Sequence, residues 1–465
     1  MIARAVCGRL VRLGSLGALV ILVFLALLSG QATTNGSGLP AKVLKLLQYL
    51  AYALAWLGLV LSKNEVPATH WPKQRPGWAP IPQVICEIVL GVVGVAAVIP
   101  FLREEIASGE MLAPHAPRWI FLLVIPLGWV AYILRRAAAS PASLESRVTS
   151  MVVAGNLAAG VLVLGSPWWV MVPLLLVALH AGCGTPLILM SLATALAANA
   201  GSFNATLFHS FGNVVLHNLL PVIPLALWAG QLMLASGLLE RLPAARRSIF
   251  APLAAATLSG CRDSGSGERT GCLDGAASAL GLLLWPSPLW LLLAALIQFS
   301  LRTIAPAALG ALLMLLPWCF MLKAQPGTEV ATNGKLRAAA RLADFGFLAL
   351  WFVTPWLTDF SPACSASLLV IYALIRYACV AGSARAVWHG ASEAARRAIA
   401  LAAPITLSII LAEVVLTAVQ QNSWASQIPR LPGGAASYLL AGALLLAVLD
   451  WPLALVLAAV LWRLG

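Results

Sequence analysis

Six ionisable side chains stand in or beside apolar runs of this chain. Glu87 lies in Val84–Leu90, and His180, His209 and His217 fall in or next to the central runs. Glu413 is deep within Ile405–Val419, and Asp450 falls within Leu444–Leu455. An ionisable group in hydrocarbon is costly unless paired or hydrated, so each is a candidate for moving a proton or an ion. Asp450 precedes Trp451-Pro452 and also reads as a loop between two short spans, while His217 also reads as a helix cap near Pro221. Glu413 resists such readings, because apolar residues flank it on both sides. Imidazole titrates near neutral pH, which suits the three histidines to a proton relay. Haem ligation is the rival use of paired membrane histidines. His209 and His217 are eight residues apart, about 12 Å along a helix axis, which is too far for both to hold one iron. His180, His209, His217 and Glu413 are therefore the candidate proton path.

Other chemistry has little to stand on. There is no CxxC, HExxH or Cys/His cluster, so neither a metal site nor a cofactor site is expected. GxGxxG, Walker A and GxSxG patterns are absent too. Cys86, Cys183, Cys319 and Cys379 sit in apolar runs, where cysteine behaves as a small hydrophobe. Cys261 and Cys272 flank the polar loop Arg262–Thr270 and would pair only in an oxidising space.

The elements that must carry these residues follow from composition. Of 465 residues, 61% are hydrophobic and only 10% charged, with a mean hydropathy of +0.92. Soluble domains are about 25% charged, so this chain cannot cover a water-facing surface. Apolar runs of spanning length recur from end to end, near Gly14–Leu28, Leu46–Leu61, Val84–Phe101, Trp119–Leu134 and Val148–Leu164. They continue at Trp168–Leu187, Leu207–Trp228, Leu280–Ile297, Ala305–Leu322, Phe345–Leu357 with Leu368–Val380, Ile399–Val419 and Tyr438–Leu461. Alternating short strands are absent, which excludes a β-barrel. The expectation is an all-α polytopic membrane protein of about 11 to 14 transmembrane helices, each needing roughly 20 apolar residues. No polar break is long enough for a soluble domain, so residues 1–465 read as one transmembrane domain.

A net charge of +13 with a pI near 9.8 raises the possibility of nucleic acid. The basic residues, however, are expected mostly in short loops between spans, as Arg135, Arg136, Arg246, Arg247, Lys335, Arg337, Arg396 and Arg397 are. That is the orientation bias of membrane proteins, so the expected partner is the lipid bilayer and not nucleic acid. The first acid is Glu65, after Arg4, Arg9, Arg12, Lys42, Lys45 and Lys63. An Arg-rich, acid-free start resembles an organellar targeting segment within residues 1–40, and equally a first membrane helix with basic residues on its inner flank.

One stretch carries a family resemblance. It reads Tyr132-Ile-Leu, a short polar loop, Ser143-Leu-Glu145, and then a span with Gly155, Gly160 and Gly165. This segment resembles the antiporter-like membrane subunit 2 of respiratory complex I, the proton-pumping NADH:ubiquinone oxidoreductase. Fainter similarities follow in order at Val177–Pro186, Gly201-Ser202, Ala245–Ser248 and Thr354–Phe360. The resemblance covers most of the chain in layout and some thirty residues in pattern. It implies a multi-pass subunit of the mitochondrial inner membrane (or a bacterial plasma membrane), with two inverted helical repeats containing broken helices. Its partners would be the other membrane-arm subunits of a large respiratory complex, and it would carry no redox centre itself.

The departures bear on pumping. The family's key membrane glutamate would align near Ile125, which is apolar, and its lysines near His180, at His209 to His217, and near Ala363 or Cys364. No lysine remains inside a central span. The resemblance thus implies an altered or lost proton path. A stand-alone ion-coupled secondary transporter is the alternative, with Gly/Pro breaks near Pro186, Pro221–Pro224 and Pro355–Pro362. A membrane-embedded enzyme or assembly factor is a third class, and it lacks any acid, base or metal constellation.

Overall fold

The computed structural model describes residues 2–31, 39–61, 80–113, 116–139, 220–236 and 362–421, and isolated positions 154, 157, 188 and 189. These residues are helical apart from one short hairpin. The helices are α1 (Ile2–Gln31), α2 (Leu39–Leu61), α3 (Pro80–Ser108), α4 (Arg118–Leu122), α5 (Val124–Ala139), α6 (Val222–Ala235), α7 (Pro362–Ala381) and α8 (Ala384–Gln421). Strands β1 (Met111–Ala113) and β2 (Ala116–Pro117) pair antiparallel between α3 and α4. Proline marks where the chain enters helix. Pro80 and Pro362 open α3 and α7, Pro117 and Pro221 cap α4 and α6, and Pro126 lies in the first turn of α5. A missing N–H is harmless there, because the first turn has no internal acceptor for it. Only Pro100 in α3 and Pro404 in α8 lie inside described helices.

Among the described residues, five helical segments are long and apolar enough to cross a membrane: Leu10–Ser29, Val84–Ser108, Arg118–Arg135, Pro362–Ala381 and Ala384–Thr417. The face that α1 leaves exposed is as apolar as the face it buries. Leu10, Leu13, Val20, Ile21, Phe24 and Leu28 point outward, whereas Leu16, Leu19, Leu22, Leu25 and Ala26 are buried. A soluble helix would place charge on the outer face, so this all-round apolar pattern fits lipid as the surrounding solvent. In α5, Leu127, Val130 and Leu134 likewise lie outside, opposite the buried Ile125, Trp129 and Tyr132. Three hydroxyls on these helices are satisfied within their own helix. Ser29 donates to the carbonyl of Ala26 (2.8 Å), Ser367 to Ala363 (2.9 Å) and Thr417 to Glu413 (2.8 Å).

The chain divides into two units by contacts, Met1–Ala51 with Asn218–Ala402, and Tyr52–His217 with Ala403–Gly465. In the first, α7 packs against α6 and α1, and α1 also touches α6. A tight corner joins α7 to α8. Gly382 (φ +69°) ends α7 in the left-handed conformation that favours glycine. Ser383 then caps α8, its Oγ accepting the backbone N–H of Ala386 at 3.3 Å. Across the corner Tyr377 lies flat on Gly390, where any β-carbon would strike its phenol ring. The Tyr377 hydroxyl donates to the carbonyl of Ala386.

In the second unit α3 packs against α5, and the hairpin that links them is held by charge. Arg118 Nε donates to Glu105 Oε2 at 2.6 Å, and its terminal nitrogens reach Glu105 and Glu110. Gly109 (φ +62°) follows the last residue of α3 and turns the chain toward β1. Close approach elsewhere depends on missing side chains. At Gly128 a methyl group would sit 3.1 Å from the Trp56 carbonyl oxygen, and at Gly91 one would sit 2.7 Å from Ile133 Cγ1.

Candidate functional site

The interior of the second unit combines a buried carboxylate helix with an aromatic row. Glu87 on α3 is almost completely buried, four residues before the Gly91 that lets α3 close on α5. On α2 and α5, Tyr52, Trp56, Trp129 and Tyr132 form a continuous series of ring contacts. The centroids of Trp56 and Trp129 are 5.5 Å apart, and each indole also meets a tyrosine at just over 6 Å. Such edge and tilted pairs each add about 0.5–1.5 kcal/mol to their area burial. The indole nitrogens of Trp56 and Trp129 are buried, and neither makes a hydrogen bond among the described residues. Leaving a buried donor unmade costs about 1–3 kcal/mol, so the row retains hydrogen-bonding capacity in its apolar wall.

Glu413 is buried on α8, nine residues beyond Pro404. Its helix is the most enclosed of the five candidate spans. The carbonyl of Glu413 accepts the Thr417 hydroxyl, and Ser408 donates to the carbonyl of Pro404 at 2.6 Å. Polar groups therefore recur along this stretch of α8 in an otherwise apolar setting. His180, His209 and His217 lie outside the described residues, as do Asp450, Cys261 and Cys272. Of the four path candidates, the structure thus places Glu413 alone. Ile125 is fully buried on α5 in the same unit as Glu87.

Sequence reasoning passed over two ionisable residues. Arg376 sits in the second half of α7 with its Nε and Nη2 atoms buried. Its signal was an arginine within Leu368–Val380, where the burial cost that singles out carboxylates applies equally. Glu105 is the other, with a side chain only 2% exposed against Arg118. Among the described residues, no group of three or more His, Cys, Asp or Glu side chains could hold a metal ion.

No protein-family model and no curated protein matches this chain. Its chemistry must be argued from its own residues. Those residues form a helical, apolar molecule with several spans of membrane-crossing length and carboxylates inside it.

Proposed function

We propose that this chain is a membrane-arm, antiporter-like subunit of a proton-translocating NADH:ubiquinone oxidoreductase, with an altered proton path. The observation that carries the reading is the pattern from Tyr132 to Gly165, where the tyrosine, the Ser-Leu-Glu loop and the three glycines keep the family's spacing. Buried Glu413 and Glu87 add weight, because proton movement through a membrane arm needs ionisable groups inside it. In this reading the chain has about 11 to 14 spans, each of roughly 20 apolar residues. It works in the mitochondrial inner membrane, and His180, His209 and His217 lie at or near two of the three places where the family has lysines, the third falling near Ala363 or Cys364. The histidines relay protons through intervening water, since direct hydrogen bonds reach only about 3 Å.

An ion-coupled secondary transporter is the second reading. Pro404, which lies inside α8 within three turns of Glu413 and removes one of its backbone hydrogen bonds, favours it, because transporters bind ions where helix backbone is left unpaired. Isolation of the native particle in mild detergent, with mass spectrometry of the co-purifying chains, separates the two. NADH-oxidising subunits in the same particle are the expected result. A chain that migrates alone and carries ion flux in vesicles would transfer the assignment to the transporter.

A further inference from the structure

One end of the first unit presents cationic and aromatic side chains that the proton path does not use. On α8, Arg385, Trp388 and His389 share a face, since positions three and four apart are helical neighbours. Arg12 of α1 joins them, its Nη1 lying 3.0 Å from His389 Nε2. We propose that this corner is a binding surface for the headgroups of anionic phospholipids.

Three observations lead there. The first is charge: Arg385 is exposed and has no acidic partner among the described residues. The sole acid between positions 384 and 400 is Glu393, and its carboxylate is already held by Arg396 and Arg397. The positive charge of Arg385 is therefore not cancelled within α8. The second is Trp388, which is 58% exposed. An exposed indole is out of place in water and at home where headgroups meet acyl chains. The third is level. Arg12 lies two residues inside the start of the Leu10–Ser29 span, and the Gly382-Ser383 turn is where α7 reverses into α8. Exposed Leu13, Ile375 and Val380 flank the cluster, supplying the apolar surface on which acyl chains lie. A phosphodiester with net negative charge fits this combination, because guanidinium forks bind phosphate oxygens while the indole covers the glycerol level.

The surface depends on the membrane setting and not on proton transfer. The experiment uses the full chain, extracted in mild detergent and placed in nanodiscs of phosphatidylcholine alone or mixed with phosphatidylglycerol. Native mass spectrometry then counts the lipids retained. Phosphatidylglycerol is retained over phosphatidylcholine, and Arg385→Gln lowers that preference about fivefold, as removal of one basic residue near an anionic surface does. Arg385→Lys keeps most of it, and inorganic phosphate does not displace the lipid. Equal retention of the two lipids overturns the proposal, as does an unchanged preference in Arg385→Gln with Arg12→Gln. Displacement by inorganic phosphate also overturns it, by making the surface a soluble-anion site. Recovery of the chain in the aqueous fraction would remove the membrane reading itself and is seen before any lipid is counted.

Discussion

At the scale of single residues, Glu105 shows how burial decides the value of a charge. Its side chain is almost sealed from solvent, while Arg118 is partly open. Removing one partner leaves the other buried without its counter-ion, a loss of about 3–5 kcal/mol, whereas replacing both by apolar groups is often neutral. Arg118→Ala should therefore lower the unfolding midpoint in detergent sharply, and Glu105→Leu with Arg118→Met should restore most of it. If single and double variants fall equally, the hairpin is not held by this pair. Glu413 poses the functional version of the same question. Glu413→Gln keeps the shape and removes the exchangeable proton. Proton movement in reconstituted vesicles should fall by about a hundredfold or more, the lower end for loss of a proton-transfer group, with the thermal midpoint little changed. Sequence made Glu413 visible because its neighbours are uniformly apolar. It left Arg376 in shadow, because a long aliphatic stem lets arginine sit in an apolar run without breaking the pattern.

At the scale of elements, the apolar runs located the described helices, and the ends moved outward. Val84–Phe101 became Pro80–Ser108, and Ile399–Val419 became Ala384–Gln421. Hydropathy stops at the first charges, but hydrogen bonding does not. Glu393 with Arg396 and Arg397 supports the helix through the very residues that end the apolar run. The run Trp119–Leu134 instead split into α4 and α5 at Leu123, whose N–H bonds the carbonyl of Trp119. Helix contacts were not legible in the same way, because they depend on which glycine meets which neighbour. Ala gains about 1 kcal/mol over Gly within a helix, and overpacking loses about 1–3. At Gly91 the obstacle is the side chain of Ile133, so Gly91→Ala should be rescued by Ile133→Ala. At Gly128 the nearest atom is backbone, the carbonyl oxygen of Trp56. Gly128→Ala should lower the thermal midpoint, and truncating Trp56 should not restore it.

At the scale of the molecule, composition established the solvent. A chain with 10% charged residues and outward faces of Leu, Val, Ile and Phe belongs in a bilayer, and five described helices are long enough to cross one. Residues 180, 209 and 217 lie beyond the described segments, and the relay they would form is legible in sequence alone. Orientation is open to measurement. Arg12 meets His389, so the start of the α1 span and the α7–α8 corner share one end, rich in arginine. Short basic segments stay on the inner side. A cysteine at Ser383, in a background without other cysteines, should react with impermeant maleimide only from the cytoplasmic or matrix side. Reaction from the opposite side alone would invert the topology.

The contact between Arg12 and His389 also fixes where a hydrogen atom sits. Guanidinium has donors and no lone pair to offer, so the imidazole must accept at Nε2. The ring's hydrogen then sits on Nδ1, the less common tautomer of free imidazole. Nitrogen NMR of labelled histidine should find one ring in that form, which disappears in Arg12→Gln. The link between α1 and α8 at this corner thus depends on which ring nitrogen carries the hydrogen.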